Sequence, residues 1–166
     1  MKRFTLHEEN SEKLKVVLDT NVIVSAAFHH NRIPASILRL VIKRKIINYV
    51  TVSMIKELLQ VFKRPAILQR ITEKDLDYVK NAILAISVGI TPLEYFHIIN
   101  EDPDDNKFID CAIASGAKYI ISGDRQLLNI KQFRDIRICS PTEFVSEHLL
   151  HSIRSPPYRS PKFSQS

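Results

Sequence analysis

The stretch "VVLDTNVIVS", residues 16–25, places an aspartate and an asparagine in the middle of an apolar run. The continuous, β-branched residues 15–18 predict a short buried strand, and a helix is predicted to begin near Val22. Asp19 would then lie where the strand ends. Because parallel sheets bind ligands beyond the carboxyl ends of their strands, this position is suited to function. Taken alone, Asp19 and Asn21 are better explained as residues that end a strand and cap a helix.

The rest of the chain alternates between strand patterns and helix patterns. Strands are predicted at 46–51, 119–122 and 136–139, with a shorter extended piece at 96–99. Helices are predicted from Pro34 to Ile42, from an N-cap at Ser53 to Arg64, from Thr72 to Gly89, from 105 to 115, from 124 to 128, and from 141 to 148. This alternation predicts an α/β domain in which helices cover both faces of a parallel sheet.

Four carboxylates fall at junctions between a predicted strand and the helix that follows it: Asp19, Glu57, Asp105 and Asp124. They are therefore expected along one edge of the sheet. Like charges that lie close together raise one another's pKa or require a cation between them. Oxygen ligands without His or Cys fit a hard cation, Mg²⁺ or Mn²⁺. Such an ion suits phosphodiester hydrolysis, because it helps to form hydroxide and neutralises charge on the phosphate.

Length and composition indicate one globular domain of 166 residues. We expect a polar extension at 1–14, the domain at 15–150 and a basic, Ser- and Pro-rich tail at 151–166. The tail holds half of the net charge of +6, so the charge is compatible with an RNA partner without requiring one. The start of the chain lacks an apolar signal core and no run is long enough to span a membrane, so a cytoplasmic protein is expected.

Several classes of site are excluded by what the sequence lacks. The three glycines form no dinucleotide fingerprint and no phosphate-binding loop. Cys111 and Cys139 match no zinc spacing and are predicted to be buried free thiols. The six histidines are scattered and are predicted to be non-catalytic. The basic run 43–45 fits either a solvated helix end or a patch that contacts phosphates.

Four segments resemble the PIN-domain nucleases: "VVLDTNVIVSA", "TVSMIKELLQVF", "DPDDNKFIDCAIASGAKYIISGDRQLL" and "IRICSPTEFV". The resemblance extends over residues 15–146 and points to a branch whose members are described as toxins of toxin–antitoxin pairs. It implies a three-layer α/β/α sandwich with a central parallel sheet, and an endoribonuclease that uses Mg²⁺ or Mn²⁺ to cut single-stranded or structured RNA. It also implies a homodimer and a cognate antitoxin that inserts a segment into the active cleft.

The resemblance carries catalytic and metal-binding roles to Asp19, Glu57, Asp105 and Asp124. It also implies that Asn21 and Ser122 hold the carboxylates in position. The third acid is open, because Asp104 would replace Asp105 if the helix began earlier. Asp110 lies inside the same helix and would be either a further ligand or an acid that the helix dipole stabilises.

Two other functions are compatible with some of these features. A catalytically inactive PIN fold would act as an RNA- or protein-binding module, although such a module usually lacks one or more of the four acids. A phospho-accepting receiver domain also collects acids at strand ends. It needs an acidic pair after its first strand, where this chain has Asp19 alone, so the receiver is disfavoured.

Overall fold

A mostly parallel sheet forms the centre of the molecule. The structure is a computed structural model that describes residues 12–29 and 32–148. Within them the strands are β1 (Leu14–Leu18), β2 (Ile46–Val50), β3 (Val88–Gly89), β4 (Tyr119–Ile121), β5 (Gln132–Phe133) and β6 (Ile136–Cys139). Their order across the sheet is β3-β2-β1-β4-β6-β5, and β5 alone among them runs antiparallel. The predicted tail at 151–166 and residues 1–11 of the predicted extension lie outside the described residues.

The helices fall between the strands along the chain. They are α1 (Thr20–Phe28), α2 (Ile33–Ile42), α3 (Val52–Phe62), α4 (Pro65–Leu68), α5 (Glu73–Ile86), α6 (Asn106–Ser115), α7 (Arg125–Ile130) and α8 (Pro141–His148). A 3₁₀ turn at Pro103–Asp105 precedes α6. Gly116 ends α6 in the left-handed conformation, with a φ of 68°, which a glycine adopts at little cost. No helix in these ranges combines the length and apolar character that a membrane crossing requires.

The second half of the central strand β1 is buried on both faces, which explains the apolar run at residues 16–18. Val16 and Leu18 pack into one core with α1, α2, α5 and α8, whereas Val17 packs into the other core with α6 and α7. Helices therefore flank both faces of the sheet, and the predicted three-layer α/β/α fold is confirmed. Cys111 and Cys139 are buried free thiols, as predicted.

Three local predictions were wrong. The extended piece predicted at 96–99, after which Asp105 was expected, is not part of the sheet; the strand beside β2 is the two-residue β3, which pairs Tyr49 with Val88 and Val50 with Gly89. The helix predicted to reach Gly89 ends at Ile86, before that strand. The N-cap of α3 is Thr51, whose hydroxyl accepts from the Met54 amide at 3.3 Å, rather than Ser53. A strand of two residues has no sequence periodicity, so pairing with β2 alone defines it.

Candidate active site

The parallel pairing of β1 with β4 brings Asp19 beside Ser122. Leu18 is in register with Ile121, and the Asp19 amide continues the ladder by donating to the Ile121 carbonyl at 3.0 Å. The Ser122 hydroxyl then donates to Asp19 Oδ2 at 2.6 Å and accepts from the Asp124 amide at 2.9 Å. One buried serine thus links two of the predicted acids, although it lies 103 residues from Asp19 in the chain.

Asp19 also caps α1. Its Oδ1 accepts from the Asn21 amide at 3.1 Å, so α1 begins at Thr20, slightly earlier than predicted. The side chain of Asn21 is exposed, and the contact of this residue with Asp19 comes from its backbone amide. Burial raises the pKa of Asp19, opposed by the bonds from Ser122 and Asn21, while the charges of Glu57 and Asp124 raise it further.

Glu57 faces the same edge from the second turn of α3. Its Oε2 accepts from the Thr20 hydroxyl at 3.1 Å and pairs with the Lys107 ammonium at 2.9 Å. The Lys107 side chain is 16% exposed, so this cation is largely enclosed beside the acids. Sequence reasoning did not single out Thr20 or Lys107. The signal for Lys107 was its place in the first turn of a helix that follows the acidic loop.

Asp105 is the aspartate of the acidic loop that is electrostatically coupled to Asp19 and Asp124. Burial and then repulsion by Asp102, Asp19 and Asp124 raise its pKa to about 6, opposed by the Lys107 charge. Asp104, the predicted alternative, is exposed, and its amide donates to Asp102 Oδ1 at 3.3 Å. Asp124 is half-buried and caps α7 by accepting from the Gln126 amide at 2.7 Å.

Asn106 anchors the acidic loop, a role that sequence reasoning missed. Its buried side chain accepts from the Ile98 and Ile99 amides at 2.8 and 3.0 Å. It donates to the Ile99 and Pro103 carbonyls, both at 2.9 Å. These four bonds hold residues 98, 99 and 103 against the start of α6, and they fix the turn that carries Asp105. A buried Asn at a helix start was the available signal, but its burial is not visible in the sequence.

Asp110 is buried and directed at the segment before the acidic loop. Its Oδ1 accepts from the Phe96 amide at 2.8 Å. Burial raises its pKa, and the hydrogen bond from Phe96 opposes that rise. Through this contact Asp110 holds α6 against the backbone at Phe96. This role differs from the predicted one, which was a further metal ligand.

The chemistry of the donor groups suits a hard divalent cation. Carboxylate and hydroxyl oxygens line this edge, with no thiol or imidazole among them, and mutual repulsion disfavours their full ionisation without a cation. As the side chains stand, no three His, Cys, Asp or Glu groups within 12–29 and 32–148 converge closely enough to hold one ion. Glu57 is paired with Lys107, and Asp19 with Ser122. Two observations therefore favour a divalent cation here: the donors are oxygen atoms, and the carboxylates all carry negative charge.

The raised pKa of Asp105 predicts a pH-dependent stability in the absence of divalent metal. Its pKa is about 6 in the folded protein against an ordinary value of 3.8, so the folded state binds the proton more tightly. Below a pH of 3.8 the Asp105 carboxyl is neutral in the folded and the unfolded protein, so it does not affect stability. As the pH rises from 3.8 to about 6, the unfolded protein loses this proton more readily, and the folded state is destabilised. We expect Asp105→Asn to melt close to wild type at pH 4 and above it at pH 7, in EDTA. A melting difference that does not change with pH would contradict this assignment.

Comparison with known proteins gives two matches at the sequence level. Residues 15–126 match the family model described as PIN domain. The chain is also 35% identical over 144 residues to MJ1680 of Methanocaldococcus jannaschii, an uncharacterized protein, and the match covers 81% of this chain and 92% of that one.

Solved structures share the fold at lower identity. PAE2754 from Pyrobaculum aerophilum superposes with a TM-score of 0.57 at 15% identity, covering 89% of this chain and 97% of that one. VapBC2 from Rickettsia felis, bound to a DNA fragment from its promoter, gives a TM-score of 0.54 at 18% identity, covering 76% and 98%. Since the family model spans well over half of the residues and the fold agrees, the chain belongs to the PIN-domain family.

Proposed function

We propose that this protein is an endoribonuclease that hydrolyses RNA phosphodiester bonds with Mg²⁺ or Mn²⁺. PIN domains are generally nucleases, which makes a nuclease the starting expectation. The observation that carries the proposal is the group of acids at the carboxyl edge of the sheet, where Asp105 is repelled by both Asp19 and Asp124. Such a group is costly to keep in a structural role, because burial and repulsion both oppose its ionisation.

The residues would divide the work as follows. Asp19, Asp105 and Asp124 would hold the ion, with Glu57 contributing the oxygen that Thr20 and Lys107 leave free. When bound, the ion would acidify water and neutralise charge on the phosphate. Ser122 would keep Asp19 oriented through its 2.6 Å bond, and Asn21 would do the same through its backbone amide.

Coupling of Asp105 to Asp19 and Asp124 supports Asp105 as the third ligand over the exposed Asp104. The predicted ligand role of Asp110 is less favoured, because one of its oxygens is already bonded to the Phe96 amide.

We further propose that the protein is a cytoplasmic toxin that works as a homodimer and is neutralised by a cognate antitoxin. This proposal depends on the sequence resemblance, since similarity to VapBC2 at 18% identity concerns the fold. Co-expression with the product of the adjacent gene tests it. A complex that suppresses RNA cleavage is the expected result, whereas unchanged cleavage would count against this pairing.

The nuclease is tested by incubating the purified protein with mixed single-stranded RNA in Mn²⁺ and in EDTA. We expect cleavage in Mn²⁺ alone, and a loss of about 100-fold or more in Asp105→Asn, since a ligand matters at least as much as the groups that orient ligands. Asp104→Asn is the matched control, and it should retain most of the activity. Equal cleavage by Asp105→Asn and wild type would overturn the assignment. RNA binding with neither cleavage nor stabilisation by Mn²⁺ would favour the inactive binding module.

A further inference from the structure

An open groove of about 860 Å³ adjoins the candidate active site. One wall is the exposed side of α3 and the residue that follows its C-cap. The segment from Ile90 to His97 and the acidic loop with Lys107 also line it. The groove therefore joins basic and aromatic side chains to acids of the site.

The α3 wall carries unpaired cations. Lys56 and Gln60 lie one turn apart on the same side of α3, and Arg64 lines the groove from the N-cap of α4, just beyond the end of α3. All three are exposed, and none of the carboxylates that the structure describes pairs with Lys56 or Arg64. By contrast, Lys107 at the acidic end is bonded to Glu57. The charges of Lys56 and Arg64 are thus accessible to an anionic ligand.

The segment from Ile90 to His97 presents an aromatic ring on a fixed support. Tyr95 is 70% exposed. The next residue is held firmly, because the Phe96 amide donates to Asp110 and the Phe96 ring packs edge-on against Phe133, with 5.5 Å between centroids. The Arg134 guanidinium lies over the same ring at 4.9 Å. An exposed tyrosine beside such an anchor offers a ready surface for stacking.

We propose that this groove binds a single strand of nucleic acid, with Lys56 and Arg64 on its phosphates and Tyr95 stacked on a base. Aromatic faces combined with cations that follow a backbone are the chemistry of single-strand binding. A duplex has its bases stacked on one another, so it offers no free face to Tyr95. This inference rests on the proposed function, because it supposes that the strand leads one phosphate into the acidic end.

The test measures binding of a labelled oligouridylate by fluorescence anisotropy across a range of salt. All variants carry Asp19→Asn, so that the oligonucleotide stays intact. We expect Tyr95→Ala to weaken binding about tenfold and Tyr95→Phe to retain it, since the ring provides the stacking. The double variant Lys56→Gln with Arg64→Gln should reduce the slope of log affinity against log salt by about 1.4, or about 0.7 for each phosphate contact.

The matched control removes the same charge elsewhere. Lys43 and Lys45 are exposed and lie just before β2, at the edge of the sheet opposite the acids. That position favours the solvated helix end over the phosphate-contacting patch for the basic run 43–45, so Lys43→Gln with Lys45→Gln should change neither affinity nor slope. Groove variants that behave like this control would overturn the inference, as would equal binding of duplex RNA. Because the binding assay needs no cleavage, the two proposals can fail separately. If the Asp19→Asn protein binds through the groove while the wild-type protein with Mn²⁺ cleaves no RNA, the proposed nuclease is refuted and the groove is supported.

Discussion

Replacing Asp19 by Asn will abolish RNA cleavage while leaving the metal-free protein at least as stable as wild type. The expected loss in kcat/KM is about 1,000-fold or more, since an ion held by the acids supplies several kcal/mol of charge stabilisation in the transition state. The stability of the metal-free protein should not fall, because Asp19 is a buried acid whose pKa is raised chiefly by desolvation. Its ionised form therefore opposes folding at neutral pH. An amide removes that cost.

The local structure explains why Asn fits. Asn is as good an N-cap as Asp, so the bond from the Asn21 amide can be kept. The new amide nitrogen would face the Ser122 hydroxyl, which can turn to accept a hydrogen bond instead of donating one. Loss of activity would then follow from the missing charge alone.

Three measurements on Asp19→Asn separate these effects: kcat/KM on RNA, the melting temperature in EDTA, and the shift in melting temperature on adding Mn²⁺. We expect activity to vanish, the melt in EDTA to be unchanged or raised, and the Mn²⁺ shift to shrink. The control is Asn21→Ala, which keeps the backbone contact and should stay within about twofold of wild type. An active Asp19→Asn protein would remove Asp19 from the site.

Replacing Asn106 by Ala will cost about 3 kcal/mol of folding free energy, the largest stability effect that we expect from a polar residue of the site. Its side chain bonds four backbone groups, namely the Ile98 and Ile99 amides and the Ile99 and Pro103 carbonyls. Alanine leaves these groups without their partner at a buried position. Asn106→Asp should be similarly costly, since a carboxylate cannot donate to the two carbonyls.

Urea unfolding measures this cost, with Asn100→Ala as the control. Asn100 is exposed, so its removal should change the unfolding free energy by less than about 0.5 kcal/mol. Because Asn106 fixes the turn that carries Asp105, the Asn106→Ala protein should also bind Mn²⁺ more weakly than wild type. Equal urea midpoints for the two variants would show that the four bonds do not stabilise the loop.

Local patterns in the sequence were sufficient for the strands at the centre of the sheet and for the helix after each of them. The apolar strands, the helical spacing and the turn residues all act over a few neighbours, and the apolar run at residues 16–18 reflects the burial of that part of β1 on both faces. The rule that acids after parallel strands share one edge then placed Asp19 and Asp124 together. The sequence thus determined the α/β architecture and the edge where chemistry is expected.

The tertiary structure decided the contacts between distant residues. The Ser122–Asp19 bond, the Lys107–Glu57 pair and the coupling of Asp105 with Asp19 and Asp124 arise only when separate elements meet. The two-residue β3 was missed for the same reason, since it pairs with β2 far along the chain. The Asn106 bonds reach only residues 98, 99 and 103, and they were missed because they depend on how an irregular loop folds back onto the start of α6. Hydrophobic periodicity reports which face of an element is buried, and it carries no information about which polar atoms will face each other there.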